Sequence, residues 1–331
     1  MLKQEKIIYG LDLQIEPLRS NHILEIKALW NLEYRRLIKN HAFLPHNWLD
    51  DTASFSSFIE RYIADGNSIA AIFQGKVVGY LAYDIFDFHN EQTAFFPILA
   101  HAADPSYKLS AYRMMYACVS QELTAKRCIN HLLTFFSFDK VLQKFLFELG
   151  FGLYVVDAYR GLDNISIEKQ HNDIAVRRAG MSNVDELFSL VEESIQYYAE
   201  SPLFLKRESE DKEQVVEMIT GQDSAVFLAV RKDEIIGFMN IRRNQAADVF
   251  TLSDKTTARI DPLGAYIKQE YRGLGVGKKL LCQAIAWVER TNITNIHVDF
   301  ESANYHANQF WPNYFMPVLY SVKRRLNNDI I

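Results

Sequence analysis

The 331-residue chain has three cysteines, Cys118, Cys128 and Cys282, an odd number with no Cys-x-x-Cys pair and no clustered histidines. That scarcity argues against a disulfide framework and a zinc site, so the thiols are read as reduced, the protein as cytoplasmic, and no metal is expected. Charge of one sign is also scarce. Lys and Arg total 36 against 41 Asp and Glu, a formal charge of -5, which supplies no broad positive field for a phosphodiester backbone and argues against nucleic acid as a partner. Long apolar runs are missing as well. Ala94 to Ala103 is interrupted by Pro97 and His101 and falls short of the roughly 20 residues that cross a bilayer. The start, Met1-Leu2-Lys3-Gln4-Glu5-Lys6, lacks the apolar stretch of a secretory signal. A soluble protein that neither spans nor is exported across a membrane is expected. Its 49% apolar and 23% charged residues suit a globular chain, and its length suggests two domains at about 100 to 200 residues each.

The order of elements repeats. Leu11 to Leu18 reads as a strand, and Ile23, Ile26, Leu29, Trp30, Tyr34 and Leu37 recur at helical spacing. Ser68 to Phe73 and Val77 to Phe86 form a hairpin about Gln74-Gly75-Lys76, followed by a strand from Thr93 to Ala100. In the second half come Asp173 to Arg178, a helix from about Asn183, strands Ala225 to Arg231 and Glu234 to Ile241, and a strand ending at Ile267. Gly79 matches Gly237 at an offset of 158, whereas Pro97 matches Pro262, and Phe145 matches Phe310, at 165. Seven residues are therefore inserted between Arg243 and Thr256, in a polar stretch suited to a hairpin loop. Two tandem copies of one α/β unit follow, with boundaries at 1–160, a polar linker at 161–172, and 173–331. The aromatics Trp30, Tyr34, Phe43 and Trp48 are assigned to core packing, and Lys323-Arg324-Arg325 to a solvated face.

The most informative stretch runs strand, turn, helix from Gly264 to Leu281. Gly273, Gly275 and Gly277 remove side chains at alternate positions where the helix begins, so an anion can approach free backbone N–H donors. The helix dipole and the cations Arg272, Lys278 and Lys279 favour a phosphate there. A Walker loop fails, because Arg272 stands five residues before Gly277 and Lys279 replaces the hydroxyl residue. A dinucleotide fingerprint begun at Gly273 would need glycine where Lys278 stands.

Arg272-x-x-Gly275-x-Gly277 after a strand resembles the acyl-CoA pyrophosphate loop of the GNAT (N-acetyltransferase) superfamily. Asn304-x-x-Ala307-x-x-Phe310-Trp311, beyond a strand at Asn295 to Phe300, resembles that superfamily's following motif. The resemblance spans Asp173 to about Leu326 and, more weakly, Leu11 to about Tyr159. It implies two tandem GNAT-like domains, each a mixed, mostly antiparallel sheet flanked by helices. In the first, Tyr107, Lys108, Ser110 and Tyr112 stand where Arg272, Gly273, Gly275 and Gly277 stand in the second, so the first domain is degenerate and only the second binds a cofactor.

The resemblance implies an acyl-CoA, chiefly acetyl-CoA, dependent N-acyltransferase that transfers directly to an amine of a small molecule or peptide. Ala265, Tyr266, Ile267, Arg272, Gly273, Leu274, Gly275, Val276, Gly277, Lys278, Asn304 and Trp311 are the expected cofactor contacts. The Ile267 amide is also expected at the reacting carbonyl. Asn304 is equally a plain helix cap. Where many members carry a thiolate-protonating tyrosine, this chain has Trp311, whose indole is too weak an acid, so Tyr314 is the candidate acid, with Tyr266 and Tyr305 behind it. Glu301 and Asp261 are the candidate bases, with Asp299 a third. The alternative is a non-catalytic acyl-CoA-binding regulatory or scaffold protein. The acceptor, the acyl chain and oligomerisation are left open.

Overall fold

The computed structural model describes residues 12–88, 90–165, 173–200, 202–209, 211–261 and 263–327. Leu11, Pro262 and most of the expected linker, 166–172, lie outside them. The first half comprises β1 (Leu13–Pro17), α1 (Ile23–Ile38), α2 (Asn47–Asp50), α3 (Thr52–Ala64), β2 (Ser68–Phe73), β3 (Lys76–Ala82), β4 (Asp84–Phe88), β5 (Glu91–Phe96), β6 (His101–Ala103), α4 (Lys108–Ala125), β7 (Asn130–Phe136), α5 (Lys140–Glu148) and β8 (Gly152–Gly161). The second comprises β9 (Ile174–Arg178), α6 (Val184–Ala199), α7 (Lys212–Thr220), β10 (Ser224–Arg231), β11 (Glu234–Arg243), β12 (Thr257–Arg259), β13 (Ala265–Ile267), α8 (Val276–Val288), β14 (Asn295–Glu301), α9 (Tyr305–Phe310) and β15 (Met316–Arg325).

The two halves repeat each other down to their irregularities. Gln74 and Gly75 both have positive φ, as do Lys232 and Asp233, 158 residues on. Each pair forms a two-residue hairpin turn whose twist matches its strands. The β2–β3 ladder slips between Ala71 and Ile72, and the β10–β11 ladder between Ala229 and Val230, again at 158. Beside each slip stands a glycine in a crowded place. A Cβ on Gly79 would stand 3.2 Å from Ala111, and one on Gly237 2.7 Å from the Tyr266 carbonyl. At the 165 offset, the Asp139 carboxylate accepts from the Leu142 amide and the Asn304 side chain from the Ala307 amide, each capping the next helix.

Three sequence expectations are corrected. The expected strand Val77–Phe86 breaks at Tyr83 into β3 and β4, and Thr93–Ala100 breaks at Pro97 into β5, a 3-10 turn and β6. Proline lacks the N–H a continuous ladder needs, and at these breaks a four-stranded sheet (β1-β2-β3-β6) separates from a long one. The inserted segment does not behave as a polar loop. Its Leu252 is buried in the core beneath α1, the Trp48 indole donates to the Leu252 carbonyl at 2.8 Å, and Phe250 stacks on Phe95.

The long sheet runs β4-β5-β7-β15-β8-β14-β12-β11-β10-β9, with β13 beside β11. The last strand of each half is therefore exchanged. β15 pairs with β7 of the first half, and β8 pairs with β14 of the second, while β8 and β15 pair with each other at the centre. Helix α8 packs Leu280, Leu281, Ala284, Ile285 and Val288 on one face of the second half's sheet, and α6 and α7 cover the other.

Candidate functional site

A cleft of about 550 Å³ opens where the sheet of the second half splays. β12 runs parallel to β14 from Thr257 to Arg259, and the Ile260 amide still donates to the His297 carbonyl at 2.9 Å. Leu263 and Gly264 then adopt positive φ, and β13 leaves β14 to pair only with β11. The direction of its backbone groups follows from the ladder. The Lys268 amide donates to Ile236 and the Asn240 amide to Gly264, so in this antiparallel pair the residues facing β11 are 264, 266 and 268. The N–H and C=O groups of Ala265 and Ile267 consequently face the cleft. An amide edge lines its interior.

The glycine turn forms one end. Gly273 and Gly275 both have φ of 76°, and Gly275 is the N-cap of α8. The amides of Val276, Gly277 and Lys278 lie in the first turn, where a helix supplies no acceptor. Gly277 has a different reason to be glycine, because a Cβ there would stand 2.9 Å from the Phe310 ring. It serves packing between α8 and α9, a correction to the uniform role expected for the three glycines. A second correction concerns Lys279, whose ammonium turns away to the Ile174 carbonyl at 3.0 Å. Arg272 turns inward, its Nε donating to the Ile267 carbonyl at 3.0 Å and its guanidinium 4.5 Å from the Tyr197 ring centre.

Of the expected cofactor contacts, all but Leu274 line this cleft. Leu274 packs against the core under α8. Asn304 both caps α9 and reaches across to α6, accepting from the Tyr197 hydroxyl at 3.2 Å and donating to Tyr198 at 3.3 Å. Trp311 is buried against Phe310 and Phe315. Tyr314 lines the cleft, packed on Phe310, and burial raises its phenol above the ordinary value.

The three candidate carboxylates differ in their surroundings. Glu301 is not among the lining residues and pairs with Arg207 at 3.0 Å, whose guanidinium lies 3.5 Å from the Tyr198 ring centre. Asp261 lines the cleft and pairs with Arg242. Asp299 lines it with 46% of its side-chain surface exposed. Its pKa is raised to about 6. Burial is the main cause, His297 and Arg259 oppose it, and the carboxylates of Asp157 and Asp261 add to it. A carboxylate tuned upward beside a cleft can act as a proton acceptor near neutrality.

Sequence reasoning missed Tyr197, Tyr198, Arg207 and His306 on the cleft wall. The paired tyrosines at the end of an amphipathic helix were a weak signal, and Arg207 carried none. Among the described residues no group of three His, Cys, Asp or Glu side chains could hold a metal ion, and no helix is long and apolar enough to cross a membrane.

The matching place in the first half is filled. The Lys108 ammonium, 7% exposed, meets Asp139 at 2.6 Å and Glu33 at 3.1 Å. Tyr112 meets His101 at 2.7 Å, and a void of only about 20 Å³ is left. An internal cation thus occupies the site where the second half presents Gly273.

Residues 188–313 match the model of the acetyltransferase (GNAT) family. No curated protein matches the sequence. A GCN5-related N-acetyltransferase from Sphaerobacter thermophilus superposes with a TM-score of 0.54 at 10% identity, covering 95% of each chain. A GCN5-related glucosamine N-acetyltransferase region of a fungal multi-domain GH3 beta-N-acetylglucosaminidase superposes at 0.51 and 14% identity, covering 96% of this chain and 38% of that one. At such identities the likeness is one of fold.

Proposed function

Because residues 188–313 match the model of the GNAT acetyltransferase family, we propose that the protein is an acyl-CoA dependent N-acyltransferase that moves an acetyl group directly to an amine of a small molecule or peptide. The observation that carries this reading is one cleft that joins the glycine turn to Asp299, with the inward-facing amides of β13 between them. The amides of residues 276–278 and the cations Arg272 and Lys278 suit a diphosphate. The Ile267 N–H, facing the cleft, stabilises charge developing on a thioester oxygen. Asp299 takes the proton of the attacking amine, with Asp261 and Glu301 as the other carboxylates near the path, and Tyr314 supplies a proton to the departing thiolate. The division at 1–160, 161–172 and 173–331 is proposed as the unit of duplication, not of independent folding.

Acetyl-CoA at 100 times its dissociation constant is expected to stabilise the protein by about 2.7 kcal/mol in a thermal-shift titration. Gly275→Glu is expected to abolish that shift, because it places a carboxylate where the phosphates sit. It also forces a side chain into a left-handed position that costs about 1–2 kcal/mol, read separately as a lower melting temperature without ligand. A wild-type protein unmoved by millimolar acetyl-CoA contradicts the proposal. A second reading rests on Trp311, a buried indole where the family pattern often has a phenol: a protein that binds acyl-CoA without turnover. Release of free thiol with a panel of amines separates the two.

A further inference from the structure

We infer that Asp157, delivered by the exchanged strand β8 of the first half, is a positioning residue for the acyl-transfer centre of the second half, where with His297 it forms a buried, hydrogen-bonded support beneath Asp299. The inference rests on the proposal that Asp299 accepts the amine's proton. Asn295, His297, Asp299 and Glu301 alternate along β14 and share the sheet face opposite α8. Across the ladder, Asp157 is the register partner of Asp299, and Tyr159 that of His297. Side chains of such a pair start about 5 Å apart. The His297 ring is fully buried, with Nε2 2.9 Å from the Asp157 carboxylate. A carboxylate only accepts, so Nε2 carries the proton of that bond. The Tyr159 ring packs 4.8 Å away and its hydroxyl is held by the Thr251 carbonyl.

The other charged groups around Asp299 each have a further partner of their own. Arg259 on β12 bonds Asp248 at 3.1 Å and stands 3.9 Å from Asp299. Asp261 pairs with Arg242, and Glu301 with Arg207. Asp157 is thus the carboxylate on the neighbouring strand directly opposite Asp299, and the half with the filled cradle supplies it.

The test is the pH dependence of kcat/KM in the full chain, with the amine found active in the thiol-release panel, beside a ¹³C-NMR titration of the Asp299 carboxyl. Wild-type activity is expected to rise through about pH 6 as Asp299 ionises. Asp157→Asn removes a like charge across the ladder and is expected to move that limb, and the NMR midpoint, toward acid by roughly one pH unit. Asp157→Glu should restore it. His297→Gln removes a group that opposes the upward shift and is expected to move both readouts the other way, which keeps the test open if Asp157→Asn fails to fold. A limb and midpoint unmoved in a folded Asp157→Asn protein that still binds acetyl-CoA overturn the inference. Should the wild type bind acetyl-CoA without turnover, acyl transfer fails, while the NMR midpoint still decides whether Asp157 acts on Asp299.

Discussion

Asp299→Asn is expected to lower kcat/KM for the amine by roughly 10²- to 10⁴-fold, the usual contribution of a positioned general base, while leaving the acetyl-CoA thermal shift intact. The amide keeps the shape of the side chain but cannot take up a proton at neutral pH. The same substitution is expected to raise the melting temperature at pH 7 to 8. The folded pKa of about 6 lies above the ordinary value near 4 of an unfolded chain. Folding therefore favours the protonated carboxyl. Its contribution to stability is fully present below about pH 4 and is lost as pH rises through about 6. The gap in melting temperature between variant and wild type should accordingly close at pH 4 and open above 6. Lost activity with lowered stability at pH 7 would mean that Asp299 is structural instead.

Neither half is expected to fold alone. Expressed separately, residues 1–160 and 173–331 should each give an aggregating product without a cooperative thermal transition, whereas co-expression should yield a soluble one-to-one complex. β15 takes its ladder from β7 and β8, and both belong to the first half. Without them its ten residues have no partner strand, and β14 loses β8 and exposes an open edge, a template for aggregation. Circular dichroism melts and size-exclusion chromatography of the fragments, alone and together, make the comparison. A monomeric 173–331 fragment that melts cooperatively would show that the exchange is dispensable.

The repeat was legible because its signals are local. Gly79 and Gly237 match in sequence since each sits where neighbouring groups crowd a Cβ, and α1 follows from the spacing of Ile23, Ile26, Trp30, Tyr34 and Leu37. The glycine turn was legible for the same reason, with Gly273 and Gly275 marking left-handed backbone. Strand exchange was not, because β8 and β15 would show the same apolar alternation whichever strand they paired with; partner choice is a long-range property. The surroundings of Asp299 were likewise hidden. Asp299, Asp261 and Glu301 look alike as residues; the close pairing of Arg242 with Asp261 and of Arg207 with Glu301, and the absence of Glu301 from the cleft lining, separate them only in the structure. Lys108 illustrates the converse. Its misfit with a glycine was visible at once, but its burial between Glu33 and Asp139 needed residues 75 and 31 positions away.

A single acyl-CoA is expected to bind per chain, held by the α8 turn of the second half. A crystal structure with coenzyme A is the decisive measurement. Diphosphate oxygens are expected within hydrogen-bonding distance of the amides of residues 276–278, with the Arg272 side chain released from the Ile267 carbonyl and the thiol lying between β13 and Asp299. Coenzyme A found at the Lys108 site of the first half, or bound with the turn unoccupied, would contradict it.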